Sequence, residues 1–120
     1  MSASDEPWPS ELRVAKDRRT LTIGFDNGER HDLSAEYLRV CSPSAEVKGH
    51  HPSQKKTVPG KRNVEIIKIE PVGNYAVRIH FDDMHSSGIY SWRYFRDLAT
   101  HPENHWEVYL QELAAKGLSR

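Results

Sequence analysis

The sequence predicts an α+β domain: a small antiparallel β-sheet, a short helix after the first sheet half, and C-terminal helices. Three observations carry this expectation. Two separate stretches alternate apolar and polar residues with period two beside turn signals, as half-buried strands do. One late stretch repeats its apolar residues at helical spacing. The chain's 120 residues, 37% hydrophobic and 28% charged, suit one soluble domain with one modest core.

Residues 1–10 contain two prolines and three serines without periodicity, which predicts a flexible N-terminal tail before a single domain over 11–120. The first hairpin pairs a strand at 11–14 with one at 20–25, joined through Lys16-Asp17-Arg18-Arg19. In the second strand Leu21, Ile23 and Phe25 alternate with Thr20, Thr22 and Gly24. Asp26-Asn27-Gly28 follows, and Asn-Gly supplies the positive φ angles that a tight hairpin turn requires. Residues 29–33 form the returning strand. Ser34 then N-caps a short helix over 35–40, because its hydroxyl can accept an amide hydrogen of the first turn.

A loop rich in Lys, Ser, Pro and Gly separates the halves. Residues 64–69 read as a β-branched strand, 71–74 as its turn, and 75–81 as its return. Tyr75, Val77, Ile79 and Phe81 are expected to face the core, with Arg78 and His80 on the other face. A connection over 82–87 leads to a short strand at 88–90, and two helices close the domain. Trp106, Tyr109, Leu110 and Leu113 form the apolar stripe of the last helix, and Gly117 stops it.

Composition narrows the function. Lys plus Arg and Asp plus Glu each total 17, so bulk charge favours neither nucleic acid nor a membrane. The single cysteine rules out an internal disulfide and suits a reducing compartment. The first eleven residues lack the basic and apolar regions of a secretory signal, and no run reaches the ~20 apolar residues of a membrane span. A cytoplasmic protein is expected. No phosphate loop, nucleophile elbow, zinc-protease motif or dinucleotide fingerprint occurs, so the expectation is a protein that is not an enzyme.

Two stretches, LRVCSPSAEVKGHH from Leu38 and IEPVGNYAVRIHFDDMHSSGIYSW from Ile69, resemble the gamma-butyrobetaine hydroxylase-like N-terminal domain family. The likeness runs from about Trp8 to about Ala99, and SPSAEV, EPVGNYAV and the DD-x-H-x-x-GIYSW segment are its most specific parts. Members occur as small free-standing bacterial proteins and appended to some Mrp-type iron–sulfur carrier ATPases, a family whose biochemical role is largely undefined. In the hydroxylases, three closely spaced cysteines and one distant histidine hold zinc. The resemblance places Cys41 at the first cysteine and His85 at the histidine, while Ser42-Pro43-Ser44-Ala45-Glu46 stands where the other cysteines would be. Two matching ligands fall short of the four of a closed zinc site.

Each candidate residue has a plain reading beside the functional one. Cys41 reads as a small packed residue where helix meets loop, or as a ligand. Asp82 and Asp83 either orient the His85 imidazole or cap backbone amides in a turn, with His85 at the surface. His50 and His51, between Gly49 and Pro52, read as solvated loop histidines and, second, as supplementary ligands beside Glu46. Lys48, Lys55, Lys56, Lys61 and Arg62 make residues 47–63 basic without an acid or a base-stacking aromatic. Tyr90, Trp92, Tyr94 and Phe95 read as core packing, or as a protein-contact patch if one side stays exposed. The expected function is a non-enzymatic accessory module that binds a protein partner, with iron–sulfur or metalloenzyme settings suggested by the resemblance. The alternative is a degenerate zinc or iron domain using Cys41, His85, Glu46, His50 and His51. No cofactor is expected in ordinary preparations.

Overall fold

The computed structural model describes residues 8–43, 57–86 and 88–120. Its elements are the strands Pro9–Val14 (β1), Thr20–Phe25 (β2) and Arg30–Ser34 (β3), and the helix Ala35–Val40 (α1). Then come the strands Ile66–Val72 (β4), Ala76–Phe81 (β5) and Ile89–Ser91 (β6), and the helices Trp92–Thr100 (α2) and Pro102–Ala115 (α3). The fold is α+β, as expected, with two three-stranded antiparallel sheets ordered β1-β2-β3 and β4-β5-β6.

The alternation in β2 buries Leu21, Ile23 and Phe25, and Leu21 and Ile23 sit opposite Leu33 and His31 of β3. In the turn between these strands only Gly28 takes a positive φ, +93°. The Gly28 amide donates to the Phe25 carbonyl at 3.1 Å, and the Phe25 amide donates to that of Glu29 at 2.8 Å. The Asn-Gly pair therefore does not make the expected turn with two positive φ angles. The loop is one residue longer, so a single left-handed glycine closes it.

The other departures are local. β1 begins at Pro9, two residues before the expected start, and the Trp8 amide donates to Asp26 Oδ1 at 3.1 Å. β4 runs on through Pro71 and Val72, which were expected in the turn and instead pair with Val77 and Ala76. Proline is tolerated there because β4 is an edge strand among the described residues, where no outer neighbour needs its missing N–H. The turn accordingly shifts onto Gly73, Asn74 and Tyr75. Tyr75 is 59% exposed instead of facing the core, while Val77, Ile79 and Phe81 are buried as expected. β6 is displaced by one residue, to Ile89–Ser91.

The caps follow the side chains available. Ser34 Oγ accepts from the Tyr37 amide at 3.0 Å at the start of α1, and Ser91 Oγ does the same for Tyr94 at 3.1 Å in α2. α3 ends in a Schellman closure. Gly117, at φ +65°, donates to the Ala114 carbonyl at 3.2 Å, and Leu118 donates to that of Leu113 at 2.9 Å.

One core joins the two sheets. Leu21, Ile23 and Phe25 of the first sheet share it with Ile66, Val77, Ile79, Phe81 and Tyr90 of the second, Leu38 of α1, and Phe95 and Leu98 of α2. A smaller cluster of Val40, Tyr109 and Leu113 sets α3 against α1. The backbone also links the sheets: the Ile66 amide donates to the Arg18 carbonyl at 2.7 Å, and Arg18 Nη1 donates to the Ile67 carbonyl at 3.0 Å. α1 lies where these parts meet, and all six of its residues are buried, including Glu36 and Arg39.

Candidate functional site

The end of α1 and the connection between β5 and β6 meet in a buried junction. α1 closes on Cys41, whose amide donates to the Tyr37 carbonyl at 3.0 Å, and this directs Ser42 inward. Ser42 is fully buried and His85 is 5% exposed. Ser42 Oγ and His85 Nε2 are hydrogen-bonded at 2.8 Å across 43 positions of sequence. The residue beside Cys41 therefore touches the imidazole that the sequence comparison paired with it.

The connection is tied down at several atoms. The His85 amide donates to Asp83 Oδ1 at 3.1 Å, and the Phe81 amide donates to the His85 carbonyl at 2.9 Å. Asp83 Oδ2 receives Arg39 Nε at 2.8 Å and lies 2.7 Å from Lys61 Nζ. Burial pushes the Asp83 carboxyl up, but Lys61, Arg39 and the His85 amide outweigh it and hold the pKa at about 2. Asp82 Oδ1 accepts from the Glu65 amide at 3.1 Å. Both aspartates thus cap backbone amides, the turn reading of the pair. His85 departs from that reading, because it is buried and not a surface participant.

The aromatic segment seals the junction. The Tyr90 hydroxyl donates to the Leu38 carbonyl, and the Tyr94 hydroxyl donates to the Cys41 carbonyl at 2.6 Å. Burial raises the pKa of both phenols, which keeps them neutral donors. Tyr90 stacks on Phe95 at 5.4 Å between ring centroids, and Tyr90 and Phe95 are fully buried. Tyr90 and Phe95 are core packing, the plainer of the two readings, while Trp92 and Tyr94 are half-buried against that core. Gly88 explains the close fit: a Cβ there would come within 2.4 Å of Ser42 Oγ and 3.2 Å of the Tyr90 ring. Only glycine lets this backbone lie so near Ser42.

Of the sequence-derived candidates, His85 bonds to Ser42, the chain neighbour of Cys41. Glu46, His50 and His51 lie outside the described residues, as do Lys48, Lys55 and Lys56. Cys41 is half-buried and packs against both hydrophobic clusters. No group of three or more His, Cys, Asp or Glu side chains among the described residues could hold a metal. The described residues therefore do not supply the four-ligand set of a closed zinc site, and the His85 Nε2 atom is paired with a hydroxyl. Sequence reasoning missed Ser42, Gly88 and the Arg39–Asp83–Lys61 cluster. The one signal for Ser42 and Gly88 was their place inside two of the three most specific motifs.

Fold and junction together define a small α+β domain whose most distinctive segments interlock in a buried polar corner. The model of the gamma-butyrobetaine hydroxylase-like N-terminal domain matches residues 12–96, and the chain belongs to this family. Two proteins with solution NMR structures are similar over nearly the whole length. One is 48% identical, with a TM-score of 0.82 over 100% of this chain and 89% of its own. The other is 44% identical, with a TM-score of 0.80 over 95% and 90%. A protein of unknown function from Acidithiobacillus ferrooxidans, known from a crystal structure, is 35% identical, with a TM-score of 0.64 over 76% of this chain and 91% of its own. No curated protein matches the chain.

Proposed function

We propose that this domain is a non-enzymatic accessory module that binds a protein partner, in the cytoplasm and in an iron–sulfur or metalloenzyme setting. One observation carries the reading. The connection that buries His85 also presents Met84, 91% exposed and at a left-handed φ of +73°. A non-glycine residue in that conformation is strained, and it persists only where its surroundings over-determine it. Here Asp83 and His85 on either side are anchored, so an apolar side chain is displayed on a rigid base. A flexible, polarizable thioether so displayed suits a protein contact surface. Ser42, His85 and Asp83 are each engaged within the junction, which fits a structural corner better than a reactive centre.

A second reading, a degenerate zinc or iron site using Cys41 and His85, draws on the bond between His85 and Cys41's neighbour Ser42. Elemental analysis of protein purified without an affinity tag separates the two. Metal well below stoichiometry in folded protein is expected. Zinc or iron at one equivalent would replace the accessory reading with the metal reading. No helix among the described residues is long and apolar enough to cross a membrane.

A further inference from the structure

A cavity of about 340 Å³ is lined among others by Asp32, Glu36, Tyr37, Trp106 and Arg120, and by none of Ser42, Asp83 or His85. Glu36 is 5% exposed, a carboxylate that burial would penalise heavily if it were unpaired. Its partner is Arg120: Nε donates to Oε2 at 3.0 Å and Nη2 donates to Oε1 at 2.7 Å. The same guanidinium lies over the Trp106 ring, 5.1 Å from its centroid. Trp106 is itself braced edge-on by Tyr37, with centroids 6.3 Å apart. A carboxylate that accepts two hydrogen bonds beside an aromatic face is the arrangement that recognises a guanidinium.

Glu36 and Trp106 belong to helices packed on the core, but Arg120 does not. It follows the glycine stop of α3, on a segment where Leu118 is 40% exposed and the Ser119 carbonyl accepts one backbone bond, from Gly60, at 3.1 Å. Such a segment opens locally at little cost compared with the helices. Its side-chain anchor is the pairing with Glu36, and any other guanidinium could supply that pairing. We infer that this cavity is an arginine-recognition site that Arg120 occupies in cis and that an arginine side chain of a partner protein takes over. The inference rests on the accessory reading for its partner, but the pocket can be probed without one. With Asp32 and Glu36 both in its lining, the cavity emptied of Arg120 is acidic, which favours a cation over a neutral side chain.

Competition makes the proposal measurable. A tethered group competes at an effective concentration of roughly millimolar or more for a short linker, so removing it should sharpen binding from solution. N-acetylarginine methylamide is titrated into the full chain and into Arg120→Ala, following the Trp106 indole N–H signal. A saturable shift is expected in Arg120→Ala, with binding to the unaltered chain about tenfold weaker or more. N-acetyllysine methylamide should bind more weakly than the arginine probe, and Glu36→Gln combined with Arg120→Ala should abolish the shift. No saturable shift in folded Arg120→Ala, or equal affinity with and without Arg120, would overturn the assignment and leave the pair a structural clamp. Should Arg120→Ala fail to fold, Arg120→Lys, which keeps the charge but loses the fork, decides by the same criteria. Failure here leaves the accessory reading standing, since that reading falls to the metal measurement.

Discussion

Helix α1 buries two charges three residues apart, Glu36 and Arg39, and the chain satisfies them in different ways. Arg39 meets Asp83, set in a turn that also holds Lys61 and the His85 amide, and the partner cannot leave without undoing that turn. Glu36 meets Arg120, whose side chain is 37% exposed and which stands on a short segment beyond α3. One pair is woven into the core junction and the other closes a cavity. A buried charge requires a partner, but only the surroundings of that partner decide whether the pair is structural or exchangeable.

The sharpest way to break this contrast is at Asp83. Asp83→Ala leaves Arg39 and Lys61 facing each other, and Arg39 Nη1 is already buried with no hydrogen-bond partner among the described residues. We expect a loss of about 2–3 kcal/mol in urea unfolding, less than for a fully buried pair because Asp83 is partly exposed. Gly88→Ala comes next, at about 1–3 kcal/mol, because the added methyl collides with Ser42 Oγ. Combined with Ser42→Ala it should cost less than the sum of the two single changes, since the clash and the hydroxyl disappear together. Additive costs would show that the two loops do not meet there.

Arg120→Ala should cost about 1 kcal/mol, because its partly exposed pair lets water reach Glu36 once the segment opens. A loss as large as that of Asp83→Ala would erase the distinction between the two pairs.

Acid distinguishes the junction in another way. The Asp83 carboxyl is depressed from 3.8 to about 2, so its contribution is complete above pH 3.8 and is lost as the pH falls through about 2. Stability measured against pH should decline across that window in the unaltered chain, and the decline should be shallower in Asp83→Asn. The smallest effect is expected from chelation. A strong chelator should leave the melting curve and circular dichroism unchanged, because the described core is built from strands and helices without a ligand cluster. Cooperative unfolding on its addition would move the metal reading to the front.

Much of the fold was legible in local pattern. The alternation of Leu21, Ile23 and Phe25 marked a buried strand face, Ser34 marked the start of α1, and Gly117 marked the end of α3. Each of these signals acts over one to five residues, where steric preference and a single hydrogen bond suffice. Tyr75 shows the limit. Its period-two position pointed inward, but the strand pairing of Pro71 and Val72 moved the turn onto it. Register is decided between strands, and a single strand cannot reveal it.

The sites were less legible for the same reason. The motifs CSP and GIYSW marked where distinctive residues lie, and a resemblance paired Cys41 with His85. That Ser42 makes the contact, that Gly88 leaves room for it, and that Asp83 serves Arg39 and Lys61 depend on segments more than 40 positions apart in three of the four contacts. Glu36 and Arg120 stand 84 positions apart, and neither carries a local mark of its partner. Propensity and periodicity are properties of neighbours in the chain. Which buried charge meets which partner is fixed only when packing of the two sheets and α1 excludes water, making an unpaired group costly enough to select the contact.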